Sequence, residues 1–216
     1  MRPVDEVTYS RSVFWSTYKQ GILYDLEFNR VFDVLQIIMR HPECPSEFTA
    51  AVKGIFENCQ LAYCIDTNGP PTILPMSTRQ EGEALGKAIR TLREAGLEGA
   101  ETHLRKGAEL INQGDWSGSI RESIHSVESV ARRLTPDSAK TLEPALRSLQ
   151  ERHLIHPALR EAFSRLYGYT SDEEGIRHPL INSSDSPSGR DEAVFMLGAC
   201  ASFASYLWRV TQESDG

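Results

Sequence analysis

The four cysteines of this chain, Cys44, Cys59, Cys64 and Cys200, form no C-x-x-C pair, and the sequence offers no cysteine and histidine at zinc-finger spacing. A cysteine-framed metal module is therefore not expected, and no cofactor is expected either; isolated thiols fit a reducing compartment. Basic excess is lacking too. With 23 Lys and Arg against 30 Asp and Glu, the net charge of -7 argues against broad capture of nucleic acid or anionic membrane, while leaving room for a local basic site. The first residues, MRPVDEVTYSRSVFWSTYKQG, hold no apolar run followed by a small-residue cleavage site, and no stretch reads as the roughly 18 apolar residues of a membrane span. A cytoplasmic protein without a membrane partner is the expectation. No repeat of about 20 to 50 residues is visible, and the one low-complexity patch is SSDSPSG, 183 to 189.

What is present is mostly helical periodicity. Leu23, Leu26, Val31, Leu35 and Ile38 predict an amphipathic helix over 23 to 40, ended by His41-Pro42. Ser46 is expected to cap a helix to Asn58, with Phe48, Val52, Ile55 and Phe56 on one face. The alternation Leu61, Tyr63, Ile65, the dipeptide Asn68-Gly69 and the run Thr72-Ile73-Leu74 predict a hairpin, Asn-Gly supplying the positive φ angles such turns use. Helices then follow over 81 to 96 and 97 to 114, closed by Gly96 and Gly114, and over 115 to 134, opened by Asp115. TLEPALRSLQERH is the next helix. HPALREAFSRLYG is another, with Pro157 in its first turn and Gly168 closing it, and the last helix spans 190 to 210. The fold class is all-α with a small β-hairpin. An N-terminal helical and hairpin module to residue 95 is expected ahead of a helical bundle over 96 to 216.

Two constellations carry chemistry. On the 115 to 134 helix, Ile120, Ile124, Val127, Ala131 and Leu134 make an apolar stripe, and Arg121, His125, Glu128 and Arg132 make a second, ionisable one. That stripe is either a solvated face of weak ion pairs or faces the segment 167 to 184 and completes an anion or nucleotide site; Arg121, Glu122, His125 and Glu128 are the candidate binding residues. The second constellation lies in YGYTSDEEGIRHPLINSS, 167 to 184, where acids 172 to 174 and Gly175 precede Arg177-His178. A guanidinium clamps phosphate and an adjacent imidazole moves a proton, the minimum for cleaving RNA through its 2′-hydroxyl. Alternatively, Arg177 pairs with the nearby acids and His178 caps or packs beside Pro179. Small residues on the last helix, among them Gly198, Ala201 and Ala204, permit close helix packing in the core or at a dimer seam.

The run HPALREAFSRLYGYTSDEEGIRHPL, followed by DEAVFMLGACASFASYLWR, resembles the abortive-infection C-terminal domain of bacterial anti-phage proteins, a group similar to the HEPN superfamily of helical nucleotide-binding and ribonuclease domains. LYGYTSDEEGIRH is the most specific part. SIRESIHSVESVARRLTP and TLEPALRSLQ resemble the same domain's earlier helices, so the likeness covers about residues 97 to 210, and LAYCIDTNGPPTILPMS resembles the end of an accompanying N-terminal domain. The resemblance implies a HEPN-like bundle, a homodimer, a role in antiviral defence, and a metal-independent ribonuclease site of Arg, a polar residue and a later His. Arg177 and His178 match the first two, whereas Asn182, Ser183 and Ser184 stand where the second His belongs. Proton transfer then falls to His178, or to His125 from a facing helix, with Arg177, His178 and Asn182 as the catalytic set. The other reading is a non-catalytic interaction module that dimerises or docks a defence partner, with Arg177 in an ion pair to Glu122, Glu128 or the acids of 172 to 174.

Overall fold

The computed structural model describes residues 28–135, 141–172 and 189–214. Among them the chain forms eight helices and one hairpin: α1 (Phe28–Arg40), α2 (Ser46–Asn58), β1 (Tyr63–Asp66), β2 (Thr72–Pro75), α3 (Arg79–Glu94), α4 (Glu98–Asn112), α5 (Trp116–Leu134), α6 (Leu142–Glu151), α7 (Pro157–Asp172) and α8 (Arg190–Ser214). The fold is all-α with a small β-hairpin, as the periodicity implied.

The main core forms around α5, whose Ile120, Ile124, Val127 and Ala131 are buried as predicted. Burying each large aliphatic side chain of this kind contributes about 1.5–3 kcal/mol. Across from them α8 buries Ala193, Ala201 and Ala204 among Met196, Leu197, Phe203 and Leu207, so its small residues let backbones approach inside the bundle. Phe163 of α7 stacks face to face on Phe203. From Ala193 to Trp208 no charged residue interrupts α8. By length and composition, residues 190 to 212 are long and apolar enough to cross a membrane, contrary to the expectation that no stretch is; 56% of its most apolar stretch is buried against the rest of the chain.

Helix ends follow local chemistry. Thr78 and Glu81 form a reciprocal capping box, which starts α3 at Arg79 rather than at 81. Gly96 and Gly114 adopt φ of 68° and 78° and end α3 and α4, with the Leu97 N–H reaching Leu92 O and the Asp115 N–H reaching Leu110 O, both at 2.9 Å. Asp115 accepts from the Gly118 N–H at 2.8 Å and opens α5. Gly168 does not close its helix. The left-handed glycines among the described residues are Gly96 and Gly114, and α7 runs on through Gly168 to Asp172, at the cost of about 1 kcal/mol that an interior glycine carries relative to alanine.

The hairpin pairs Asp66 with Thr72 and Tyr63 with Pro75. Its turn departs from the expected form: five residues, 67 to 71, join the strands, and Gly69 does not take a positive φ. Asp66 Oδ1 instead accepts from the Asn68 N–H and Nδ2, at 3.1 and 2.8 Å. The space beside Gly69 is taken by the Arg93 guanidinium, which a Cβ there would displace, since it would come within 1.8 Å of Nη2.

A second apolar cluster joins Phe32, Met39, Val52 and Phe56 to Ile65 and Ile73 of the hairpin. Here α1 turns a different face inward from the one its apolar spacing implied. Ile38 is 41% exposed and Ile55 of α2 is 56% exposed, whereas polar Gln36 is buried. The reason is the open edge of β2: Gln36 Oε1 accepts the Ile73 N–H and Asn112 Nδ2 donates to Ile73 O, each at 2.9 Å, so two side chains complete a strand edge that has no third strand. Ser46 is the first residue of α2 and makes no side-chain cap; Pro45 occupies the capping position. Leu23 and Leu26 lie outside the described residues.

Candidate functional site

Helices α4 and α5 are joined by the Gly114 turn and pack along a face of small residues. A Cβ at Gly99 would stand 3.0 Å from Ser129 Oγ, and one at Gly107 would stand 3.3 Å from Ser123 Oγ and 3.4 Å from Ser119 O. Two glycines eight positions apart thus bring the backbones close, and His103 sits one helical turn from each of them. The serine hydroxyls opposite are largely satisfied within α5: Ser123 donates to Ser119 O at 2.8 Å and Ser126 to Ser123 O at 2.7 Å.

That close approach places His103 Nδ1 2.6 Å from Glu122 Oε2. His125 follows Glu122 by three residues, on the same helical face, and its ring centroid lies 5.3 Å from that of His103, edge to face. One donor atom from each of His103, Glu122 and His125 falls within 4.8 Å of the other two. The cluster is reachable by solvent, with the His103 and Glu122 side chains 37% and 25% exposed.

An open groove of about 730 Å³ begins at this cluster and is lined further by Glu98, Gly99, Glu128, Ser129, Arg132 and Arg133. Because α4 and α5 run antiparallel, the groove collects the N-terminus of α4 and the last turn of α5. The first-turn N–H groups of a helix have no partner inside it and carry a partial positive charge. Arg132 reaches Glu128 at 3.8 Å, and Arg133 enters no ion pair among the described residues. Positive donors, two imidazoles and the carboxylates of Glu98 and Glu128 therefore share one concavity.

Of the residues predicted from sequence, His125 and Glu128 line this groove, and Glu122 stands behind it in contact with His103. Arg121 is on the same helix, exposed, and does not line it. Glu122 and Glu128 find His103 and Arg132 as partners. Arg177, His178 and Asn182 lie outside the described residues. Sequence reasoning missed His103 and Arg133. The available signal for His103 was glycine at four residues on either side of it, which marks the face of α4 that a neighbouring helix approaches.

A second polar cluster is buried and structural. Arg105 Nη2 meets Asp66 Oδ2 at 2.7 Å, and its Nε meets Glu101 Oε1 at 2.8 Å, while Glu101 also holds Arg93. The Asp66 side chain is 2% exposed. Burial alone would raise the Asp66 carboxyl, but hydrogen bonds from Asn68 and Arg105 outweigh it and hold the group below its usual range. Glu101 behaves alike, burial being outweighed by Arg93 and Arg105. The cluster fastens the hairpin to α3 and α4. Compared with protein-family models, with curated proteins and with solved structures, the chain matches none.

Proposed function

We propose that this chain is an RNA- or nucleotide-binding protein of the abortive-infection, HEPN-like class, working as a homodimer in antiviral defence, and that the groove between α4 and α5 handles an RNA phosphodiester without a metal. The observation that carries the reading is the contact of His103 with Glu122 beside His125, in a groove that also holds two arginines and a helix N-terminus. Sequence resemblance supplies the class. The groove supplies the chemistry.

A phosphate is seated by Arg132 and Arg133 together with the first-turn N–H groups of α4. A carboxylate only accepts hydrogen bonds, so Glu122 fixes the proton of His103 on Nδ1 and leaves Nε2 for exchange with substrate. One imidazole removes the proton of a 2′-hydroxyl and the other delivers a proton to the departing 5′-oxygen. The 2′-oxygen-to-phosphorus bond forms as the phosphorus-to-5′-oxygen bond breaks, giving a 2′,3′-cyclic phosphate and a 5′-hydroxyl. Arg177 and His178 belong to the same proposal as a further phosphate clamp and proton carrier.

The binding half is tested by fluorescence anisotropy of a short single-stranded RNA over a series of salt concentrations. Removing two phosphate contacts in an Arg132→Ala, Arg133→Ala double variant lowers affinity and reduces the magnitude of the log–log salt slope by about 1.4. Equal affinity and equal slope in parent and variant contradict the groove as the phosphate site.

A further inference from the structure

Glu122 and His125 form a Glu-x-x-His pair on one face of α5, and His103 comes to meet them from α4. This spacing presents a carboxylate and an imidazole to a common point, the arrangement by which helical bundles assemble metal sites from facing helices. Two imidazoles and one carboxylate, with a side open to the groove, make the donor set of a three-ligand site that keeps a position free. Nitrogen donors favour first-row transition ions over magnesium or calcium, which take oxygen.

We propose that His103, Glu122 and His125 bind one divalent transition ion per chain, with zinc as the representative, and that the bound ion silences the groove. The distances suit this. Ligands 2.0–2.1 Å from a tetrahedral zinc are roughly 3.4 Å apart, so donor atoms lying within 4.8 Å of one another need a closure of at most about 1.4 Å. The 2.6 Å contact between His103 and Glu122 opens by less than about 1 Å. Both changes are side-chain rotations at the rim of a groove, and the helices that carry the ligands are held at fixed distance by Gly99, Gly107 and the serines opposite. Nearby Glu98 and Glu128 add negative charge, and Arg132 is already occupied in part by Glu128. An ion here takes the lone pairs of both imidazoles, and neither then accepts a proton. The ion-binding claim stands by itself; the silencing rests on the ribonuclease reading.

The test is calorimetric titration of the purified full chain with zinc chloride in chelator-free buffer, beside His103→Gln, His125→Gln and Glu122→Gln variants whose folding is checked by melting. Expected are one tight site in the parent and a fall in affinity of at least roughly 100-fold in each histidine variant, since losing a direct ligand costs no less than losing a group that orients one. Magnesium is expected not to compete. Parent-like zinc binding by still-folded His103→Gln and His125→Gln, which would put the ion on residues such as the cysteines, overturns the proposal, and so does absence of binding by the parent. The silencing arm adds zinc to an RNA cleavage assay and then restores activity with EDTA. A parent that binds zinc through these residues yet never cleaves RNA defeats the ribonuclease reading and leaves the metal site standing; one that cleaves equally well with zinc bound defeats the silencing.

Discussion

His103 Nδ1 and Glu122 Oε2, nineteen residues apart in sequence, stand 2.6 Å from each other across the α4–α5 interface. Exposed ion pairs contribute little to stability, and these side chains are 37% and 25% exposed, so the contact is better understood as orienting a ring than as holding two helices together. Glu122→Gln retains the shape but lets the amide donate as well as accept, so the proton of His103 is no longer fixed on Nδ1. The variant is expected to melt with the parent and to lose on the order of 100-fold in RNA cleavage. Paired melting and cleavage assays check this.

The buried contact between Arg105 and Asp66 has the opposite character. Removing one member strands a charge, and Arg105→Met is expected to cost about 3–5 kcal/mol in denaturant unfolding. The exposed pair Arg79–Glu83 is the control: Arg79→Ala shifts stability by less than about 0.5 kcal/mol.

The same cluster sets the acid limit of the fold. Asp66 and Glu101 have folded-state values below their ordinary 3.8 and 4.5, so the stability they confer is complete above that range. As pH falls, the unfolded chain takes up these protons first, and the stability is lost progressively until the folded groups protonate too. Melting temperature is therefore expected to drop as pH falls below about 4.5, and a Glu101→Gln variant, though less stable at neutral pH, is expected to show a shallower decline.

Thiol reactivity separates the cysteines. Burial pushes the Cys200 thiol up to about 12, and burial with the nearby Asp66 charge pushes Cys64 to about 11, whereas Cys59 is exposed. In a timed reaction with an aromatic disulfide at neutral pH, Cys59 is expected to react promptly and Cys200 at the rate of unfolding. Prompt modification of Cys200 in the folded chain contradicts the packing of α8.

His153 ends α6 with φ of 59°, a left-handed conformation that costs a non-glycine residue about 1 kcal/mol, and the Leu154 N–H closes the cap on Leu149 O at 3.0 Å. His153→Gly is expected to raise stability by about 0.5–1 kcal/mol, read by chemical denaturation.

How far the sequence carries depends on which interaction decides each element. Helices with a wide apolar stripe and a glycine stop, such as α3 and α4, were legible because burial and capping act locally. The inward face of α1 was not, because the open edge of β2 selects Gln36 over Ile38, and that edge is invisible without the tertiary pairing. Gly69 read as a φ signal, yet it takes no positive φ and instead leaves room for the Arg93 guanidinium of α3. At the site, the ionisable face of α5 was legible as a periodic stripe, and His125 and Glu128 came from it, with Glu122 named beside it. Its partner His103 belongs to no such stripe on α4, and the close packing at Gly99 and Gly107 brings it across.

The most direct test of the groove's chemistry is cleavage of mixed cellular RNA by the purified full chain in EDTA, with end-group analysis of the products. His103→Ala, His125→Ala, Arg177→Ala and His178→Ala variants, each checked for folding by melting, are assayed in parallel. The account predicts 2′,3′-cyclic phosphate ends from the parent and a loss on the order of 100-fold or more in folded His103→Ala and His125→Ala. Undiminished cleavage by those two variants, or no cleavage by the parent, would contradict it.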